Sequence, residues 1–108
     1  MIRNNLVAGI ILLSTAAVQA NDIDGNWRTS YGQIATISNG AITLKTGKYA
    51  GRRIGYFNEV GGNNYSGTIT DPFTGASYSG KATVSGSKLH MTGCIMKVVC
   101  RSQIWIRE

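Results

Sequence analysis

The chain has 108 residues, eleven basic and five acidic side chains, a formal net charge of +6, fourteen glycines, two cysteines and one proline. So short a chain holds one domain. One histidine and so few carboxylates are too thin an inventory for a zinc site of recognisable spacing or a Ser-His-Asp arrangement, so no metal, cofactor or catalytic residue is expected.

The N-terminus carries Arg3 in a short polar patch, then an apolar run over residues 6–18, then Val18-Gln19-Ala20 before Asn21. That three-part pattern is that of a secretory signal peptide, with a signal helix over 1–20 and cleavage between Ala20 and Asn21. The apolar run is shorter than the roughly 20 residues a helix needs to span a bilayer, and none follows it, so no transmembrane span is expected after cleavage. The remaining 88 residues, 21–108, keep a net charge of +5 once Arg3 is gone. Outside the cytoplasm, in the periplasm or secreted, such a charge excludes nucleic acid as the natural partner and favours an anionic envelope surface.

After residue 21, Gly or Asn recurs every eight to twelve residues, and no segment keeps apolar residues three and four apart. Turn signals at that interval predict a β-meander. Strands are expected over 26–30, 33–38, 41–45, 52–59, 65–70, 76–84, 88–92 and 101–107. Asn39-Gly40 between the second and third favours a tight type I′ hairpin, because both residues tolerate positive φ. In the sixth strand Ala76, Tyr78, Gly80, Ala82 and Val84 share one phase while Ser77, Ser79, Lys81 and Thr83 share the other. One face is therefore buried and one wet. Short strands with no helix to cover them remove their edges by closing, which predicts a small all-β antiparallel barrel of about eight strands over 21–108, expected to be a monomer.

Several local features carry chemistry. If first and last strands are neighbours, an Arg of one can lie over the indole of the other, through Trp27-Arg28 and Trp105-Ile106-Arg107, with Gly25 letting the strand pass close beneath the ring. Asp71-Pro72-Phe73-Thr74-Gly75 has turn chemistry, and Asp71 is otherwise a lone carboxylate at a barrel mouth. Cys94 and Cys100 suit one structural disulfide across a hairpin in an oxidising compartment. Between them Ile95-Met96-Lys97-Val98-Val99 is apolar except for Lys97, where hairpin tips are normally polar. It is expected to fold over the barrel end as a plug or, failing that, to stay exposed as a contact for a partner or membrane, with Lys97 and Arg101 suiting an anionic headgroup. His90 falls in the polar phase between Leu89 and Met91 and is expected to face solvent.

The series Tyr65-Ser66-Gly67-Thr68-Ile69-Thr70-Asp71-Pro72, Thr74-Gly75, Tyr78-Ser79-Gly80, Leu89, Gly93-Cys94 and Gln103-Ile104-Trp105-Ile106-Arg107 resembles the exported bacterial family catalogued as domain of unknown function 2147, as does Gly25-x-Trp27. Tyr65 stands where that family usually has Trp, the 51–64 region is shortened and a Pro-rich connection is missing. The resemblance implies a Gram-negative envelope location and a lipocalin-like barrel, and no established reaction or ligand.

The function expected from all of this is non-catalytic: an exported barrel that binds a small apolar or amphipathic ligand, with Trp27, Tyr65, Tyr78 and Arg107 as wall or rim residues. The alternative is a protein-contact or inhibitor module acting through its basic surface and the 95–99 tip. A cavity of a few hundred Å³ marks the first, and a filled interior the second.

Overall fold

A computed structural model describes residues 22–108 of the chain. The expected signal helix and the Ala20–Asn21 junction lie outside them. Eight strands follow in order: β1 (Gly25–Arg28), β2 (Ile34–Ser38), β3 (Ala41–Leu44), β4 (Arg53–Gly61), β5 (Asn64–Thr70), β6 (Ser77–Ser85), β7 (Lys88–Ile95) and β8 (Val99–Arg107). Each pairs antiparallel with the next, and β1 pairs with β8, so the sheet closes into an up-and-down barrel. The expected strands are all present. The last hairpin is longer than expected, because Cys94 faces Cys100 in register and pairing continues past the bridge to Ile95 and Val99.

Local chemistry explains the connections. Asn39 and Gly40 take φ of 51° and 87°, the mirror-image turn expected of that dipeptide. In the β5–β6 connection Asp71 Oδ1 accepts the Phe73 N–H at 2.8 Å, the Asp71 carbonyl accepts the Gly75 N–H at 2.8 Å, and Gly75 has a φ of 78°. Asp71 is thus a turn builder. In β6 the inward set Tyr78, Gly80, Ala82 and Val84 is half-buried or buried, while Ser77, Ser79, Lys81 and Thr83 are exposed.

The two ends of the barrel differ. At one end lie the chain's first described residues, the β2–β3, β4–β5 and β6–β7 turns and the C-terminus. Here the interior is filled by Ile23, Trp27, Ile37, Ile42, Val84 and Leu89. The four other connections (29–33, 45–52, 71–76 and 96–98) emerge at the opposite end, the mouth.

A row of glycines crosses the wall between the two. Gly67 pairs with Gly80, and Gly80 pairs with Gly93, all in the inward phase of β5, β6 and β7. A Cβ at Gly93 would stand 2.9 Å from the Tyr78 Cβ, so the missing side chain makes room for Tyr78, whereas the Phe57 ring lies 3.7 Å from where a Gly80 Cβ would stand. Phe57 is 2% exposed and closes the filled half from below the mouth.

The row is not uniform, and its differences are measurable. A Cβ at Gly67 would run into the Tyr56 carbonyl and the Phe57 backbone of β4, neither of which can swing away. At Gly80 the nearest atom is the Thr92 carbonyl oxygen at 3.4 Å, an ordinary contact. Gly67→Ala is therefore expected to lower unfolding free energy by about 2 kcal/mol or more, as overpacking does. Gly80→Ala should stay within about 1 kcal/mol of the parent chain, since alanine suits strands better than glycine. Equilibrium urea denaturation of both variants decides it, and equal losses would contradict this view of the wall.

Candidate functional site

Of the four residues expected to form a ligand wall or rim, three sit at the filled end. Trp27 is fully buried, and its Nε1 donates to the Ile23 carbonyl at 2.8 Å. Arg107 lies with its guanidinium carbon 4.2 Å from the Trp27 ring centroid, the contact between first and last strands that the sequence suggests. Its Nη1 donates to the Asp24 carbonyl at 3.0 Å and its Nη2 to the Asp22 carbonyl at 2.6 Å. Gly25 makes room for this guanidinium rather than for the ring: a Cβ there would stand 3.1 Å from Arg107 Nη1. Tyr65 is buried in the same cluster. None of these three side chains lines the mouth cavity; they pack in or against the filled half and hold the barrel together there. Tyr78 alone of the four lines it.

That cavity, about 110 Å³, opens at the mouth. Leu44, Ile54, Ile69, Met91 and Trp105 give it an apolar floor, and Thr29, Gln33, Tyr78, Arg101 and Gln103 bring polar groups to its wall, with the Asp71 carboxylate beside them. Strand β8 supplies one side through alternate residues, Arg101, Gln103 and Trp105, because successive side chains of a strand point to opposite faces. Gln103 Oε1 accepts the Trp105 Nε1–H at 2.9 Å and fixes the indole's orientation, so a buried donor is satisfied within the wall. From the sequence Arg101 is expected beside Lys97 for an anionic headgroup and not in a cavity wall, and Gln103 carries no expected site role. Stepping back by twos from Arg107 finds them.

The rim is aromatic and basic. Tyr31 and Phe73 are 70% and 57% exposed. Phe73 packs edge-on against Tyr49 at 5.0 Å, and Tyr49 has the Arg52 guanidinium 4.9 Å and the Lys48 ammonium 5.6 Å from its centroid. The 95–99 tip does not fold over the mouth. Met96 is 86% and Val98 81% exposed, which corrects the plug expectation: the disulfide holds β7 and β8 paired up to Ile95 and Val99, leaving a turn too short to bend back. Cys94 and Cys100 are bonded to each other. His90 faces solvent on the outside of β7, as expected. Among the described residues, no three metal-ligating side chains come together and no helix is long and apolar enough to cross a membrane.

A bacterial family described as an uncharacterized protein conserved in bacteria (DUF2147) matches residues 14–107. The chain belongs to this family. No curated protein and no solved structure matches it. On the barrel, the residues that resemble the DUF2147 pattern have separate tasks. Gly67, Gly80 and Gly93 form the glycine row, Asp71 to Gly75 the mouth turn, and Trp105 and Arg107 the cavity floor and the seam.

Tyr65 keeps a titratable group in the filled half. Burial pushes its hydroxyl pKa above the usual 10.0, a hydrogen bond with the Ile23 backbone pulls it down, and Glu59, Asp22 and Asp24 add smaller upward pushes. A group whose folded pKa is raised binds its proton more tightly in the folded state than in the unfolded chain. Its contribution to stability is present in full below the ordinary tyrosine value and falls away as pH climbs through the folded one. Above pH 10, stability of the parent chain should therefore fall more steeply than that of Tyr65→Phe, with the two slopes compared by urea denaturation. Parallel slopes would contradict the burial of this hydroxyl.

Proposed function

We propose that the protein is a non-catalytic binder, exported to the bacterial envelope, that takes the apolar end of a small amphipathic anion into its mouth cavity. The signal-like N-terminal pattern and the disulfide support the exported location. The observation that carries the binding proposal is the pairing of an apolar floor with Arg101 at the same cavity. Among the described residues the one ion pair joins Arg28 to Glu108, so the Arg101 guanidinium is free for an external carboxylate or phosphate. Ligand pockets commonly measure about 300 to 1,000 Å³ and engulf their ligand. At about 110 Å³ this one has room for a short alkyl segment or part of a ring, leaving the polar end at the rim. Asp71 lines this space with Oδ1 engaged in its own turn, and His90 faces solvent on the outer wall, so the carboxylate has no histidine beside it. That arrangement supports binding over catalysis.

Decanoate, a ten-carbon carboxylate, and decanol, its uncharged counterpart, test the proposal. Met91 lies in the cavity and Met96 on the exposed tip, so their methyl resonances report the two places separately. Monomeric decanoate should shift the Met91 methyl in a saturable way. Arg101→Gln should weaken decanoate on the order of tenfold, the loss of one charge-assisted hydrogen bond, and leave decanol unchanged. A Met91 methyl that neither molecule moves would overturn the proposal.

A further inference from the structure

Charge is segregated along the barrel axis. Asp22, Asp24, Glu59 and Glu108 lie toward the filled end, leaving Asp71 as the one acidic residue of the mouth, with Oδ1 already accepting a backbone N–H. Lys45, Lys48, Arg52, Arg53, Lys97 and Arg101, all exposed, belong to the connections and strand ends around the mouth. The same end carries the exposed apolar tip and the exposed rings of Tyr31 and Phe73. A surface that combines cations, interfacial aromatics and protruding aliphatic side chains complements an anionic bilayer, whose phosphates and acyl boundary need both.

The tip itself adds an independent observation. Met96 and Lys97 take φ of 55° and 61°, the left-handed region that ordinary side chains avoid. Elsewhere the chain meets the same demand with Asn39-Gly40, Gly61-Gly62 and Gly86 at the filled end and with Gly32, Gly47, Gly51 and Gly75 at the mouth. At the tip it keeps a methionine and a lysine in that conformation, with the Cys94–Cys100 bridge immediately behind them. Strain retained by non-glycine residues points to side chains kept for a contact outside the barrel.

We propose that the protein docks mouth-first on a bilayer surface rich in anionic phospholipid. Met96 and Val98 enter the boundary between headgroups and acyl chains, and Lys97, Arg101 and the cations of the β3–β4 connection lie over the phosphates. The proposal does not depend on what the cavity binds. It puts the cavity mouth against the lipid surface, so an amphipathic molecule passes between bilayer and barrel without crossing open water.

Co-sedimentation with vesicles tests it. The protein should pellet with vesicles of phosphatidylglycerol mixed with phosphatidylcholine and stay in solution with phosphatidylcholine alone. Raising salt from about 0.1 to about 1 M shortens the screening length from about 10 to about 3 Å and should release it. Each basic side chain near an anionic leaflet strengthens association about fivefold, so Lys97→Glu should weaken binding at least about fivefold. Val98→Asp, an exposed site, should weaken it at least about tenfold with an unchanged melting temperature. Val60 is 64% exposed toward the filled end, and Val60→Asp should bind as the parent does. Vesicles should broaden the Met96 methyl, while the decanoate titration reads Met91, so either result can fail alone. No binding to the mixed vesicles, or an equal loss in Val60→Asp and Val98→Asp, overturns the proposal and leaves the tip to a protein partner.

Discussion

The barrel depends on one contact, Arg107 laid over Trp27. The ladder between first and last strands has only the register pairs Trp27–Arg107 and Arg28–Ile106, whereas β7 and β8 are paired along their whole length. A seam that short needs help from side chains. The stacked guanidinium contributes about 0.5 to 2 kcal/mol, and each charge-assisted hydrogen bond to the Asp22 and Asp24 carbonyls about 1.5 to 3 kcal/mol. The neighbouring Arg28–Glu108 pair, at 2.8 Å but with both side chains well exposed, is worth less than about 1 kcal/mol. Arg107 therefore dominates the closure. It also ties down the segment before β1, whose Ile23 caps the filled end and receives the Trp27 indole hydrogen bond.

From that closure follows the division of the interior. The large aromatic needed at the seam, together with Tyr65, Leu89 and Ile37, fills the ring at the end where the seam is made. Further along, Phe57 packs against Gly80 and Gly93 makes room for Tyr78, and the mouth cavity lies beyond them. At the hairpin between the cysteines, the disulfide closes a loop short enough to contribute roughly 2 kcal/mol in the chain-entropy model, without help from the core. The mouth can thus carry exposed apolar side chains because the other end and the bridge hold the fold.

Much of this architecture was legible in the residues. Asn39-Gly40 marked its hairpin through the positive φ both residues accept, and alternation in β6 gave the inward face. The Arg-over-Trp contact followed from closure alone. What the alternation could not supply was height. Period two tells which residues point inward but not at which level the ring is full, so Trp27, Tyr65 and Arg107 had the right phase and the wrong level for a cavity wall. The cavity-wall role of Arg101 and Gln103 was hidden for a related reason: polar residues in an inward phase look like errors of phase until the strand is seen to end at an open mouth. The tip misled because an apolar run suggests burial, and its length, set by the cysteine register, forbids it.

The fold requires the ring to close through β1 and β8, and Glu108 gives the most direct view of that closure. The Glu108 amide donates to the Asn26 carbonyl at 2.9 Å, across the seam. A C-terminal amide normally exchanges with solvent at the unprotected rate, since chain ends fray. Measured by amide hydrogen exchange, the Glu108 N–H should be protected to the same order as the amides of Trp27 and Ile106. Exchange at the unprotected rate, with β7 still protected, would mean an open sheet and contradict the closed barrel.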